Sequence, residues 1–362
     1  MLAYPHPLDY VTGVKYTLTD YKINRTFTPT PENFYVEELV DFENLGYSIE
    51  KGEYAVIKLV KRNLETLKAL NILAKTLDIP VGNFYIFGLK DKDACTVSYV
   101  FTRRTLINPS CLPVETKSLR AELIGYVRVK PSTKHHVGNK FTIVINNVSE
   151  HDVETFKNIV ERIEVFGLPS YYGYQRFGFH RGNTHLLGKY LLLLREDLFA
   201  DELLRRLYPY EDTAVTVKRF LGDFRGLYYE RLYLREATGS SRSSLREKYF
   251  SLLRDAYSSY LFNLLLNKVI ERSGWSYLDR EYPSLGCAES SIELYRDILV
   301  LEGLRLSDLR LLPCHYRHGL FRPLRSAIRT TKNTIHYEFL LKRGMYATIV
   351  LREIFKDNLL LS

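Results

Sequence analysis

The 362-residue sequence has no long hydrophobic run, and this absence bears on where the protein works. Its longest apolar stretches, such as residues 190–194, are far shorter than the roughly 20 residues that cross a bilayer. The amino terminus shows no basic segment followed by an apolar one, so we expect no signal peptide. The sequence therefore favours a cytoplasmic protein without a membrane partner.

Cysteine is scarce, and its four positions, Cys95, Cys111, Cys287 and Cys314, contain no CxxC pair. We therefore expect neither a disulfide scaffold nor a structural zinc site. The segment 314–318 reads Cys-His-Tyr-Arg-His and offers potential metal ligands, but no second Cys or His pair stands at a workable spacing. A Walker loop and a dinucleotide-binding glycine fingerprint are also missing, which argues against ATP-driven and methyl-transferring enzymes. No metal and no cofactor are expected.

Positive charge, by contrast, is in excess, because 51 Lys and Arg residues face 42 Asp and Glu residues. The net charge of +9 favours a polyanionic partner, although a basic surface that serves solubility is the alternative. The 28 Tyr and 19 Phe residues suit base stacking as well as ordinary cores. One dense basic stretch could contact phosphates or form a solvated face. Its members are Arg317, Arg322, Arg325, Arg329 and Lys332.

Hydrophobic periodicity predicts a chain of mixed α/β character. Strands are expected at residues 54–60, 84–87, 141–145 and 336–341, and helices at 64–77, 149–165, 246–272 and 350–355. Ser149 and Asp152 have the spacing of a capping box. Because α/β character stands at both ends of the chain and the middle is more helical, the sequence suggests one domain inserted into another.

Five short segments carry a resemblance to one enzyme family. They are Phe34-Tyr-Val-Glu-Glu38, Gly88-Leu-Lys-Asp-Lys-Asp-Ala-Cys-Thr96, Val137-Gly-Asn-Lys-Phe141, Leu168-Pro-Ser-Tyr-Tyr-Gly-Tyr-Gln-Arg-Phe-Gly178 and Phe339-Leu-Leu-Lys-Arg-Gly-Met-Tyr-Ala-Thr348, the last followed by Leu351-Arg-Glu353. Together they resemble the TruD family of tRNA pseudouridine synthases. Any one of them could be chance, but five in the family's order are hard to obtain by accident.

The resemblance implies a fold of the mixed α/β (α+β) class. A catalytic domain around a central mixed, largely antiparallel sheet would span residues 1–165 and 317–362. The inserted α/β domain that characterises the family would span residues 166–316. The implied partner is tRNA, with no obligatory protein partner and no cofactor. The implied activity is isomerisation of uridine to pseudouridine, usually at position 13 in the D arm.

Two other functions remain as alternatives to this activity. The first is a non-catalytic RNA-binding or tRNA-folding protein, which would share the basic and aromatic surface. The second is a metal-dependent hydrolase that uses Cys314 and the nearby histidines. The intact Gly-Leu-Lys-Asp segment at residues 88–91 disfavours the first alternative, and the missing second pair of metal ligands disfavours the second.

The resemblance assigns the nucleophile to Asp91. One carboxylate can attack either C1′ of the ribose or C6 of the base, so a single Asp is sufficient as the nucleophile. The cations of Lys90 and Lys92 beside it would keep this carboxylate ionised, and Lys90 is expected at the substrate. From the residues alone, Asp91 could instead cap a helix that begins near Asp93.

By the same resemblance, Phe34 and Phe339 pack on a flipped nucleotide, Asn139 hydrogen-bonds its edge, and Phe141 supports the pocket wall. An amide suits this task because it offers both a donor and an acceptor to uracil. Ordinary core packing is the alternative for each Phe. Arg352 could pair with a catalytic carboxylate or cap its helix together with Glu353.

Three further segments remain open at this level. Residues 168–178 could face RNA at a hinge, but a structural junction filled by aromatics is favoured. Lys134-His-His136 could touch phosphate, although a solvated loop is favoured. Thr28 stands where the family places a basic residue, six positions before Phe34. Lys22 or Arg25 could substitute for that residue only if their loop is displaced.

Overall fold

The computed structural model describes residues 1–90, 93–178, 181–208, 211–237 and 244–361. The α-helices are α1 (Pro7–Thr12), α2 (Phe42–Leu45), α3 (Thr66–Leu77), α4 (Glu150–Phe166), α5 (Thr184–Leu192), α6 (Glu196–Leu204), α7 (Thr213–Phe220), α8 (Tyr228–Ala237), α9 (Ser244–Ser273), α10 (Ala288–Glu302) and α11 (Ala347–Phe355). The strands are β1 (Phe34–Val40), β2 (Tyr47–Ser48), β3 (Tyr54–Arg62), β4 (Cys95–Arg103), β5 (Val114–Thr116), β6 (Leu119–Val127), β7 (His136–Asn146), β8 (Leu168–Pro169), β9 (Glu281–Pro283), β10 (Tyr316–His318), β11 (Leu320–Phe321), β12 (Leu324–Thr331) and β13 (Thr334–Lys342).

The central sheet has the order β12-β13-β7-β1-β4-β3-β6-β2, with β5 also paired to β6. Strands β1 and β4 run parallel, and the remaining pairs in the described part of this sheet are antiparallel. This arrangement confirms the expected mixed, largely antiparallel sheet. Strands β12 and β13 come from the carboxyl-terminal end of the chain, so both ends of the sequence build one sheet.

One face of this sheet carries a row of side chains across five strands. The register joins Phe339 to Phe141, Phe141 to Val36, Val36 to Thr96 and Thr96 to Lys61. Since side chains alternate along a strand, these five residues point to the same face. The β13 end of this face packs against α4 and α11, and the β3 end packs against α3. Between α3 at one end and α11 at the other, the face is left open and can form a cleft.

Helix α4 shows how local sequence sets an element. The Ser149 hydroxyl accepts a hydrogen bond from the Asp152 backbone at 3.1 Å, and the Asp152 carboxylate accepts one from the Ser149 backbone at 3.0 Å. This confirms the predicted capping box, which satisfies two amide groups at the start of the helix. Gly167 ends the helix with a φ of 71°, a conformation that a residue with a Cβ rarely adopts.

The middle of the chain is mainly helical in its described part, and it packs closely on the amino-terminal segment. The Asn263 side chain on α9 donates to the Thr12 carbonyl at 2.9 Å, and the Asn267 side chain donates to the Gly13 carbonyl at 2.9 Å. Strand β8 pairs with β11, and β9 pairs with β10. A hydrophobic cluster runs without interruption from Leu8 through Tyr171 to Phe355. The proposed boundaries of the inserted domain stay a prediction.

Two local expectations are wrong. No helix begins near Asp93: residues 93 and 94 form a bend and β4 starts at Cys95. The strand expected at 84–87 is reduced to one bridge, in which Tyr85 pairs with Phe101. Tyr85 donates and accepts one backbone hydrogen bond each with Phe101, while Phe87 turns into a separate small core.

The cysteine expectation also needs a correction, because Cys287 and Cys314 form a disulfide. The pair is separated by 27 positions, so local spacing did not reveal it. The bond joins the residue before α10 to the segment before β10, and Cys314 is therefore not available as a thiolate ligand. Among the described residues, no cluster of three or more His, Cys, Asp or Glu side chains could hold a metal ion. No helix in the same part of the chain is long and apolar enough to cross a membrane.

Candidate active-site cleft

A cleft of about 630 Å³ opens on the face of the sheet that lies between α3 and α11. Strands β1 and β7 contribute its floor through Phe34, Val36, Asn139 and Phe141. The remaining walls come from residues 65–67 at the start of α3, the segment 87–90, residues 175–176 and the segment 344–348 before and at the start of α11. Parts of all five motif segments, from Phe34 to Thr348, therefore meet here.

Of the three aromatic motif residues on this face of the sheet, two line the cleft and one does not. Phe34 and Phe141 line the cleft, and their rings lie 6.0 Å apart with an interplanar angle of 22°. Phe339 lies beside Phe141 on the neighbouring strand β13, fully buried, with its ring 5.4 Å from Phe141 and 4.7 Å from Tyr337. Phe339 packs beside Phe141 and does not itself line the cleft. Its expected packing on a nucleotide stays a prediction.

Asn139 presents a hydrogen-bonding group to the cleft. Its side chain lies on β7 opposite Glu38 of β1. Its Oδ1 atom is buried and has no hydrogen-bond partner among the described residues. A buried amide oxygen without a partner is costly, since its desolvation is not compensated. The position therefore suits a ligand that donates a hydrogen bond, as the N3–H of uracil does.

A buried group of charges lies below the segment 87–90. Glu38 Oε1 is 2.7 Å from Lys90 Nζ and 4.0 Å from His136 Nε2. The other carboxylate oxygen of Glu38 accepts a hydrogen bond from the Tyr99 backbone at 3.1 Å. Burial, together with the ammonium of Lys90, lowers the pKa of His136, and the Glu38 carboxylate opposes this shift. His136 is therefore neutral near pH 7, and the solvated-loop interpretation does not hold for its side chain.

The backbone of Lys90 is held from two sides. The Thr66 hydroxyl accepts a hydrogen bond from the Lys90 backbone N–H at 3.0 Å and donates one to the Lys90 carbonyl at 3.2 Å. The same carbonyl accepts a hydrogen bond from Lys61 Nζ at 3.3 Å. These contacts fix the backbone immediately before Asp91. Asp91 itself and Lys92 lie outside the described residues.

Arg352, expected at the substrate, is instead used to hold the amino-terminal segment. Its Nε donates to the Asp9 carboxylate at 2.7 Å, and its Nη atoms donate to the carbonyls of Tyr16 at 2.9 Å and Lys15 at 3.1 Å. Burial disfavours the charge, but Asp9 and Tyr174 more than offset this and raise the pKa of Arg352. The residue does not line the cleft, and its expected role at the substrate or at the catalytic carboxylate stays a prediction.

The two substitutes considered for the family's basic residue do not reach the cleft either. The Lys22 ammonium pairs with Asp357 and donates to Asn358 at 3.2 Å. Arg25 is exposed, and the Thr28 carbonyl accepts a hydrogen bond from Asn33 at 2.9 Å. Neither basic side chain appears among the lining residues.

Residues 168–178 combine both interpretations that the sequence left open. Tyr171, Tyr174 and Phe177 are buried, and the Tyr171 hydroxyl donates to Asn267 at 2.6 Å, which fits a structural junction. Gln175 and Arg176, in contrast, line the cleft. The guanidinium of Arg176 is steadied by the Ser259 hydroxyl at 3.0 Å, and it could meet a phosphate there.

Three residues at or beside the cleft were missed at the level of sequence: Thr66, which lines it, and Glu38 and Lys61, which contact Lys90. Lys61 did leave a signal, since it continues the alternation of Ile57 and Leu59 on the buried face of β3. A lysine in such a position is unusual and points to a function or a buried pair.

Comparison with known proteins decides the family. The sequence profile of tRNA pseudouridine synthase D (TruD) matches residues 12–278. The chain belongs to this family. It is 30% identical to a tRNA pseudouridine synthase D of Thermococcus onnurineus, over 97% of this chain and 99% of that protein. Identity to the corresponding protein of Saccharolobus solfataricus is 29%, over 98% of each chain.

The fold agrees with this membership. A crystal structure described as a TruD protein of Methanosarcina mazei matches with a TM-score of 0.67, and covers 96% of this chain and 97% of that chain. The sequence identity of this pair is 20%, so the likeness speaks for the fold alone. The TruD family consists of RNA pseudouridine synthases, and this chain is a member of that class of enzymes.

Proposed function

We propose that this protein isomerises uridine to pseudouridine in tRNA and that Asp91 is the nucleophile. The observation that carries the proposal is the fixed backbone of Lys90. Thr66 holds it at both its N–H and its carbonyl, and residues 87–90 form one wall of the cleft. The backbone immediately before Asp91 is therefore held in place beside the floor formed by Phe34, Asn139 and Phe141.

The reaction needs only groups that the cleft can supply. The bond between C1′ and N1 breaks, the uracil turns, a bond forms between C1′ and C5, the proton on C5 leaves, and N1 takes up a proton. A carboxylate that attacks C1′ or C6 gives a covalent intermediate and divides this change into easier steps. Both points of attack remain part of the proposal.

The uridine must leave its stack to reach this cleft. Phe34 and Phe141 offer apolar ring surface to the flipped nucleotide, and Phe339 packs beside Phe141. The unpartnered oxygen of Asn139 accepts the N3–H of uracil, which a cytosine lacks. The ammonium of Lys90 is already paired with Glu38, so its main role is to position the segment 87–90. Arg176 lines the cleft and is the residue that would bind a phosphate of the tRNA.

The target within tRNA is proposed to be uridine 13 in the D arm, as the resemblance implies. The test is to map pseudouridines in unmodified tRNA after incubation with the protein and with the Asp91→Asn variant. The wild type should convert one uridine in the D arm, while Asp91→Asn should bind tRNA and convert none. The matched control is Asp93→Asn, which removes a carboxylate two positions away and should retain activity.

Conversion by Asp91→Asn would show that the nucleophile is assigned wrongly. Tight tRNA binding by the wild type without conversion of any uridine would favour the non-catalytic RNA-binding alternative. Conversion at a different uridine would leave the chemistry intact and correct the target site only.

A further inference from the structure

Arg317 stands on β10, next to the wall of the cleft, and its guanidinium has no acidic partner among the described residues. The group lies over the ring of Tyr172, at 4.3 Å from the centroid. Its Nε donates to the Ser170 carbonyl at 2.9 Å, and one Nη atom contacts the Met345 sulfur at 3.6 Å. A guanidinium held against an aromatic ring in this way is pre-organised, and its remaining N–H groups are left for another ligand.

The second Nη atom of Arg317 faces residues that line the cleft. It lies 3.3 Å from the place that a Cβ on Gly344 would take, and Gly344, Met345 and Tyr346 are all lining residues. Because Gly344 has no side chain, residue 344 does not cover this nitrogen. Arg317 is not itself a lining residue, so a ligand would meet it at the rim of the cleft, beside Gly344.

A second guanidinium lies beside the same ring. Arg176, which lines the cleft, is 5.9 Å from the Tyr172 centroid, and the ring of Tyr346 lies 6.0 Å from that of Tyr172. Burial lowers the pKa of Arg317 and Arg176 adds to this shift, while Tyr172 and Tyr346 oppose it. Arginine nevertheless stays charged at neutral pH. Two like charges are therefore held close together at one ring.

The negative charge at this ring does not balance the two arginines. Asp255 lies 3.8 Å from Arg176, and in the described part of the chain it is the only carboxylate paired with either guanidinium. His315 has its Nε2 atom 2.9 Å from the Tyr172 hydroxyl. Burial and the charge of Arg317 lower its pKa, so it is neutral near pH 7. The rim therefore carries a net positive charge beside an aromatic ring, a setting that suits a phosphate.

Another arginine of the same basic stretch lies on the other side of the sheet. Arg329 pairs in register with His336 of β13, whereas the cleft face of that strand carries Phe339. Since side chains alternate along a strand, Arg329 points to the opposite face. It is exposed, and its replacement removes one positive charge away from the cleft. Arg329 is thus the matched control for Arg317.

We propose that Arg317 and Arg176, both beside the ring of Tyr172, form a phosphate-binding site at the rim of the cleft that holds the RNA backbone next to the target uridine. This inference rests on the proposed function for its ligand, tRNA, and adds to it a residue that does not line the cleft. The site recognises the phosphodiester and not a base, so it fixes the position of the strand without a sequence preference of its own.

The first test measures tRNA binding against salt concentration for the wild type, Arg317→Met, Arg317→Lys and Arg329→Met. Loss of one phosphate contact should reduce the slope of log K against log[salt] by about 0.7 to 0.9. We expect this reduction for Arg317→Met, together with an affinity about tenfold lower. Arg317→Lys also loses the contact to Ser170 but keeps the charge, so it should keep the slope. Arg329→Met should stay close to the wild type, and an unchanged slope for Arg317→Met would overturn the inference.

The second test locates the phosphate, and it includes Arg176→Met so that it does not depend on the folding of one variant. A tRNA in which one phosphate on either side of uridine 13 is replaced by an uncharged methylphosphonate should bind the wild type more weakly. In Arg317→Met and Arg176→Met the same replacement should cost less, because the contact is already lost. In Arg329→Met it should cost as much as in the wild type. Equal costs in all four proteins, at each replaced phosphate, would remove the site.

The outcomes keep this inference apart from the proposed function, because both tests measure binding and can be read even if no uridine is converted. Conversion by the wild type together with an unchanged salt slope for Arg317→Met leaves the function standing and removes the phosphate site. A reduced slope and a smaller methylphosphonate effect without any conversion support the phosphate site, while the proposed activity fails.

Discussion

The carboxylate of Glu38 lies 2.7 Å from the ammonium of Lys90, and both side chains are almost completely buried. Glu38 belongs to β1 in the sheet, whereas Lys90 belongs to the segment that leads to Asp91. The pair therefore ties the wall of the cleft to its floor. Because both charges are out of water, each depends on the other and on its hydrogen bonds.

Replacement of Glu38 with Gln should lower both the stability of the protein and its rate of tRNA conversion. Loss of one partner in a buried pair costs about 3–5 kcal/mol, since the other charge remains buried. We expect the free energy of unfolding to fall by this order and tRNA conversion to decrease, because the backbone before Asp91 loses one support. Urea denaturation and single-turnover assays measure the two effects.

The matched control for this substitution is Glu338→Gln. Glu338 pairs with Lys140 at 2.8 Å, but these side chains are 44% and 33% exposed. An exposed pair contributes about 0–1 kcal/mol. Equal losses for the two variants would contradict the claim that burial makes the Glu38–Lys90 pair important.

Asn139→Ala should reduce conversion without a comparable effect on tRNA binding. The lost contact to the uracil edge corresponds to about 1–3 kcal/mol, or roughly 5- to 150-fold in kcat/KM. Overall affinity depends mainly on phosphate contacts and should change little. Asn146→Ala is the control: it lies on the same strand, where its side chain contacts only the Thr334 hydroxyl among the hydrogen bonds of the described residues. A normal rate for Asn139→Ala would remove this residue from uracil recognition.

Arg352→Met should affect stability and not the chemistry of the folded enzyme. The guanidinium is buried against Asp9 at 2.7 Å, so its removal leaves the Asp9 carboxylate without that partner and costs about 3–5 kcal/mol. In a cycle with Asp9→Asn, the double variant should be more stable than the sum of the single losses predicts. A tenfold lower kcat in protein that is still fully folded would instead return Arg352 to the active site.

Stability should fall as the pH decreases below about 6.5, and His185 should account for part of the slope. Burial, with a smaller contribution from Lys189, lowers the pKa of His185 to about 3. Between that value and the ordinary pKa near 6.5, the unfolded chain binds a proton that the folded chain does not. The folded state therefore loses about 1.4 kcal/mol per pH unit in this window for this one residue.

His185→Phe isolates this contribution. The ring stacks on Tyr260 with centroids 4.6 Å apart and meets Phe177 edge-on, so an aromatic replacement retains much of the packing. The variant should show a shallower dependence of unfolding free energy on pH between 4 and 6. An unchanged slope would mean that His185 does not titrate on unfolding as expected.

Local features were predictable from the sequence where short-range chemistry decides them. The Ser149–Asp152 capping box and the alternation from Tyr54 along β3 depend on neighbours within a few positions. The strand expected at 84–87 does not form, because its apolar residues pack into two different hydrophobic clusters and do not pair along one neighbouring strand. The motif residues Phe34, Asn139 and Phe141 lie together in one cleft. Periodicity could not show that Phe339, on the same face of the sheet, does not line that cleft.

From the sequence alone, the resemblance carried by five motifs in the family's order predicted the family and implied the mixed sheet and the candidate nucleophile, because motif residues and their order can be read directly from the chain. Only the tertiary structure decided which charges meet. Arg352 reaches Asp9 across 343 positions, Cys287 joins Cys314, and Lys61 from β3 contacts the carbonyl before Asp91. Such pairings depend on strand order and helix packing, which bring distant residues into a low-dielectric interior where each charge requires a partner.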